Sequence, residues 1–158
     1  MALEIILASA KWRRVKGVRA AIAGAVKAAQ PHVTPGDVTF LLADDAALRA
    51  LNHQFRGKNK PTNVLAFESA PGSGDVALAF ETVRAEAEAQ GKSILAHVSH
   101  LAVHGLLHLS GHDHMKKAEA ARMEALEIAI LLRLGLSNPY LLKPERRGKT
   151  GSPRKPRK

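Results

Sequence analysis

Apolar residues recur along the chain in short stretches whose period changes from one stretch to the next. Residues 2–7 form a brief apolar run that reads as a first strand. Trp12, Val15, Val18, Ile22 and Val26 recur at helical spacing, so residues 11–29 read as one helix, stopped by Pro31. Residues 37–43 alternate, with Val38, Phe40 and Leu42 on one face of a strand. Asp44 is placed to cap a helix running to about Phe55, with Leu48 and Leu51 inward. Residues 56–62 are polar and read as a loop; residues 63–67 and 75–80 read as strands joined by the turn Pro71-Gly72-Ser73-Gly74. A helix over residues 81–90 ends at Gly91, and Ser93 caps a long apolar helix that reaches Ser110. Gly111 breaks it, and a last helix spans about residues 116–134. This order predicts an α+β (mixed α/β) domain. The helix at 93–110 is too apolar for a surface position and is expected at the centre.

The 158 residues suit one domain of this kind. A chain of this length buries about 68–70% of its unfolded surface and needs no covalent staples. It has no cysteine, which excludes a disulfide framework, a Cys-ligated zinc finger and an iron–sulfur cluster. Any metal must be held by His, Asp or Glu. No run reaches the 18 or so apolar residues of a membrane span. Ala8-Ser9-Ala10 resembles a signal-peptide cleavage site, but Glu4 interrupts the apolar run and no basic segment precedes it. The expectation is a cytoplasmic protein with no membrane partner.

Charge divides the chain further. The net charge is +10, and residues 143–158 hold eight basic residues, one acid, three prolines and no large apolar residue. That segment reads as a disordered basic tail, leaving residues 1–142 as the folded domain. Within the domain, residues 11–27 carry Lys11, Arg13, Arg14, Lys16, Arg19 and Lys27 with no acid. Two basic handles on a weakly charged body point to a polyanionic partner.

Six of the eight histidines fall between residues 97 and 114. His97, His100, His104 and His108 occupy an arc of about 80° on one helix face. Four buried imidazoles without partners are costly, so the stripe calls for a purpose. Sharper still is His104-x3-His108-x2-Gly111-x2-His114, the spacing of a three-histidine zinc site. His at i and i+4 share one side of a helix, and the glycine lets the chain return with His114. Three imidazoles leave the fourth tetrahedral position of a zinc ion open to water or substrate. His97 and His100 lie deeper and are expected to support or pack. Asp113 can either orient a ligand histidine or cap the last helix. Helical metallopeptidases carry a glutamate base after the first histidine, and here that position is Gly105. Phosphodiester cleavage depends more on neutralising charge and needs a cation near the metal. The loop 55–62 offers Arg56, Lys58 and Lys60, and Arg56 has the planar fork that holds two phosphate oxygens.

The run from His97 to His114 resembles the signature of the YbeY family of bacterial endoribonucleases. Leu51-Asn52 through Phe55-Arg56-Gly57-Lys58 to Pro61-Thr62-Asn63-Val64-Leu65 is similar to that family's second motif, and Gly74-Asp75-Val76, Gln90-Gly91, Met123-Glu124 and Asn138-Pro139-Tyr140 follow in the family's order. The resemblance spans about residues 35–142. It implies zinc on His104, His108 and His114, with Arg56 lining the same cleft and needed for activity. It implies a small, mostly parallel mixed four-stranded sheet packed with helices around the histidine-bearing one, with a zincin-like metal site. It also implies action on single-stranded ribosomal RNA, at the 3′ end of the small-subunit RNA, and a part in ribosome quality control. The partners are then ribosomal RNA and the small ribosomal subunit. Departures are His112 where a tyrosine is common, Asn59 for a frequent aspartate and Ala66 for a frequent serine. A ribosome-assembly factor with a structural metal, or a zinc peptidase, are the alternative readings. The nucleophile and the oligomeric state stay open at this level.

Overall fold

A computed structural model describes residues 2–56, 62–111 and 117–140. Its sheet has four strands, β1 (Leu3–Leu7), β2 (Val38–Ala43), β3 (Val64–Ala70) and β4 (Ser73–Ala79), in the order β1-β2-β4-β3. The pairs β1–β2 and β2–β4 are parallel and β3–β4 is antiparallel, as the mostly parallel expectation has it. Parallel neighbours need a crossover. Helix α1 (Val18–Ala29) makes the first, and α2 (Asp45–Arg56) with β3 lies within the second. Helices α3 (Phe80–Ala89), α4 (Ile94–Leu109) and α5 (Lys117–Arg133) complete the described residues.

Alternation in the strands gives the sheet two apolar faces. Val38, Phe40, Leu42, Val76 and Leu78 join the larger core with α1, α3, α4 and α5. Ala43, Leu65, Ala77 and Ala79 face Leu48 of α2 in a smaller one. Helix α4 buries residues on every side, including Val98, Leu101, Ala102, Val103, Leu106 and Leu107, so it is the central helix expected from its composition.

The helix expected over residues 11–29 is divided. Residues Ala10–Arg14 form a 3-10 turn, and α1 starts only after Gly17, whose φ of 85° lies in the left-handed region. The division follows from Trp12. Its indole donates Nε1–H to the Ala43 carbonyl (2.7 Å) and packs edge-on against Phe80, which pins the turn over the sheet before α1 can begin. The caps sit where the sequence places them. Ser93 Oγ accepts from the Ala96 amide, and Asp44 Oδ1 accepts from the Ala47 amide.

Two ties fix the C-terminal end of α4. Gly72, at the tip of the β3–β4 hairpin, donates its amide to the Leu109 carbonyl (2.9 Å), and Thr34 donates to Ser110 Oγ (2.8 Å). Gly72 has φ 80°, and a Cβ there would lie 2.4 Å from the Thr34 carbonyl oxygen, so only glycine fits. Gly111, at φ 92°, ends the helix as expected.

Candidate metal centre

The four histidines of α4 form one stripe, and two carboxylates organise it. His97 is buried and its Nε2 lies 2.7 Å from Glu86 Oε1 of α3. Glu86 also accepts from Asn63 Nδ2 at 2.9 Å. Burial works against the Glu86 charge, but the bonds from His97 and Asn63 prevail and lower its pKa.

Glu127 of α5 is fully buried and is the hub of the stripe. Its Oε1 accepts from His100 Nε2 at 3.0 Å and from the Tyr140 hydroxyl, and its Oε2 accepts from His104 Nδ1 at 2.6 Å. Burial opposes charge on this carboxylate, yet the hydrogen bonds from His100, His104 and Tyr140 outweigh it and hold the pKa at about 2. Glu127 is therefore an anion that accepts a hydrogen bond from a ring nitrogen of His100 and of His104. Burial in turn pushes the His100 imidazolium toward neutrality, and burial followed by the Glu127 contact raises the Tyr140 phenol. The second ring nitrogens of His97 and His100, both Nδ1, are buried and have no hydrogen-bond partner among the described residues.

His104 differs from those two in which nitrogen the carboxylate takes. Glu127 binds its Nδ1, which turns Nε2 toward His108, whose Nε2 lies within hydrogen-bond distance at 3.1 Å. Two nitrogens bound at about 2.0–2.1 Å to one tetrahedral ion stand about 3.3 Å apart, close to the 3.1 Å of this pair, which is also a hydrogen-bond distance. A carboxylate bound to the far nitrogen is the usual support of a metal-ligating imidazole. Among the described residues no group of three or more His, Asp or Glu converges on one point. The expected third ligand, His114, lies outside the described residues, as do His112, Asp113, Lys58, Lys60 and the tail from residue 143. Arg56 is the last residue of α2, and its side chain is also outside the described part.

Gly105 has a structural cause. It faces β4, and a Cβ at this position would lie 2.6 Å from Val76 Cγ1. The helix packs directly on the sheet here, so the glutamate base of a helical metallopeptidase has no room. Glu127 and Glu86 are not singled out in the sequence, and Tyr140 enters there only within Asn138-Pro139-Tyr140, with no role assigned. Glu127 did leave a signal, because it shares a buried stripe with Met123, Ile130 and Leu131. An acid on an apolar stripe needs a partner inside the core.

Fold and site together define a class: a small α+β domain whose central helix carries a carboxylate-braced histidine pair. The Endoribonuclease YbeY family profile matches residues 8–135. The chain belongs to that family. Proteins named Endoribonuclease YbeY are similar to it in Paramagnetospirillum magneticum (52% identity over 116 residues, 66% of this chain and 71% of the relative). The same name is carried by relatives in Rhodopseudomonas palustris (42%, 88% and 81% covered) and Chelativorans (43%, 87% and 92% covered). A solution structure of a Thermotoga maritima protein has the same fold, with a TM-score of 0.57 over 84% of this chain and 91% of that one at 19% identity. No described helix is long and apolar enough to cross a membrane.

Proposed function

We propose that this chain is a metal-dependent endoribonuclease specific for single strands, which matures ribosomal RNA at the 3′ end of the small-subunit RNA and serves ribosome quality control in the cytoplasm. Membership of an endoribonuclease family supports the reaction class. The observation that carries the metal is the His104–His108 pair, 3.1 Å apart and braced through Glu127. His104, His108 and His114 hold the ion, and zinc suits an all-imidazole set with an open position. A bound divalent cation supplies positive charge and Lewis acidity beside the scissile phosphodiester.

The chain's own groups do the rest. Glu127 fixes the tautomer and the orientation of His104, and His100 and Tyr140 keep that carboxylate charged and in place. Arg56 supplies a planar cation that grips phosphate oxygens and offsets the charge growing on the phosphorus-bound oxygens. The small subunit and its RNA are the partners that fit this chemistry. The peptidase alternative is disfavoured by the closed space at Gly105. The assembly-factor alternative is disfavoured by the relatives' shared name.

Metal content and cleavage of a single-stranded RNA, measured together on wild type, His108→Ala and Arg56→Glu, test the proposal. His108→Ala should lose both metal and cleavage, whereas Arg56→Glu should keep the metal and lose cleavage. Variants that cut as well as wild type overturn it. A substrate with one deoxynucleotide at the cut site shows whether the ribose 2′-hydroxyl is the nucleophile.

A further inference from the structure

From residue 5 to residue 36 the chain has no acid and six Lys/Arg. All six side chains belong to exposed residues, on the 3-10 turn at Ala10–Arg14, the link to α1 and α1 itself. Among the described residues only Lys11 meets an acid. Lys11 pairs with Glu81 and lies 3.6 Å from Asp44. Arg19 donates Nη1 to the Ile5 carbonyl at 3.2 Å. Arg13, Arg14 and Lys16 pair with no acidic side chain among the described residues. The placement is electrostatically unfavourable for the fold itself. These cations precede the start of α1, whose first turn has no acid, although a helix start is stabilised by negative charge. Charges that do not help the fold and pair with no acid among the described residues are suited to an external anion.

The geometry places this cluster away from the histidines. Gly17 packs beside Leu95, where an added Cβ would lie 3.2 Å from Leu95 Cδ1. Leu95 lies in the first turn of α4 and His108 in its last, 13 residues on. At about 1.5 Å per residue the two points are about 20 Å apart along the helix. A strand stacked at about 3.4 Å per nucleotide crosses that distance in about six nucleotides, and a path over the surface takes more.

We propose that Arg13, Arg14 and Lys16, with Arg19 beside them, form a docking surface for the phosphate backbone of RNA lying outside the cleavage cleft. It rests on the reading of the chain as an RNA enzyme. The surface holds long substrates and is beyond the reach of short ones. It acts through charge, with no base readout, so it adds affinity without sequence preference.

The test is the full-length triple variant Arg13→Gln, Arg14→Gln, Lys16→Gln beside wild type and a control, Arg122→Gln with Arg133→Gln on α5. Binding is measured to a 2′-O-methyl RNA of about 20 nucleotides across a salt series, and cleavage to a saturating hexanucleotide. Three lost contacts should flatten the logarithmic salt slope by about 2, so the wild-type advantage at about 50 mM salt shrinks roughly fifteenfold by about 200 mM. The control should keep the wild-type slope, and hexanucleotide cleavage should be unchanged in the triple variant. A triple variant with the wild-type slope overturns the docking surface while leaving the enzyme reading intact. Wild type that neither binds nor cuts RNA overturns the enzyme reading, and the docking surface with it. Loss of binding to vesicles of anionic phospholipid, with RNA binding unchanged, assigns the patch to membranes and also overturns the proposal.

Discussion

The two halves of the α4 histidine stripe use one residue type on one helix face, His97 and His100 three residues apart and His104 and His108 four apart, and end in opposite arrangements. His97 and His100 turn Nε2 to a carboxylate and leave Nδ1 buried and unmatched. His104 turns Nδ1 to a carboxylate, which sends Nε2 toward His108. Side-chain exposure rises along the stripe from 3% at His97 to 13% at His100 and 19% at His104, so the stripe opens at its C-terminal end. Residue type therefore does not decide which imidazole can hold an ion. The position of the acid does, because it selects the nitrogen left over.

Breaking the hub should have the largest effect. Glu127→Ala leaves His100, His104 and Tyr140 without their shared acceptor, and the cost expected in denaturant unfolding is about 3–5 kcal/mol. Its metal affinity, measured by competition with a chelating dye, should fall about 10–100-fold because His104 loses its brace. Unchanged values for both would erase the distinction between the two halves.

Gly105→Ala comes next. It drives a methyl into Val76 of the main core, with an expected loss of about 1–3 kcal/mol in the same unfolding assay. A neutral outcome would mean that β4 yields, and the space argument against a glutamate base would weaken.

His97→Leu sharpens the comparison from the other side. Glu86 keeps Asn63 and some solvent, and the unmatched Nδ1 disappears, so the net stability change should stay within about 1 kcal/mol. RNA cleavage by the folded variant should persist, whereas His104→Leu should abolish it. Loss of cleavage in a well-folded His97→Leu protein would give the N-terminal half a direct part in the chemistry.

The smallest effect belongs to the surface pair Lys11–Glu81. Burial raises the Glu81 pKa, but the bond from Lys11 and the Asp45 amide overcome it and bring the value down from 4.5 to about 2. A carboxylate with a lowered folded pKa adds stability above its unfolded value and loses it as the pH falls. The contribution should be complete above about pH 4.5 and gone near pH 2. Glu81→Gln should flatten the acid limb of the stability curve only slightly, since both partners face solvent.

Much of this was legible in the chain, and the illegible parts share a cause. The i, i+4 spacing of His104 and His108, the caps at Asp44 and Ser93 and the left-handed Gly111 follow from local geometry, so a linear pattern carries them. The break at Gly17 was hidden because Trp12 and Val15 keep the helical period while Trp12 is claimed by the Ala43 carbonyl, a partner 31 residues away. The choice of Glu127 over Glu119 and Glu124 is likewise a tertiary fact, although its place in the buried stripe marks it. Gly105 reads in sequence as a missing base and in space as a contact with Val76. The residues proposed as site members, Arg56 and His114, are where local pattern and family resemblance speak and the described side chains do not.

Trp12 also gives the molecule its own optical probe. It is the chain's single tryptophan, completely buried, with an aromatic neighbour in Phe80 and a fixed hydrogen bond. No histidine of the α4 stripe appears among those contacts. Its emission should be blue-shifted in the native state and move to longer wavelength only when the sheet itself comes apart. One fluorescence trace can therefore certify the scaffold of every variant above, separately from what that variant does to metal or RNA.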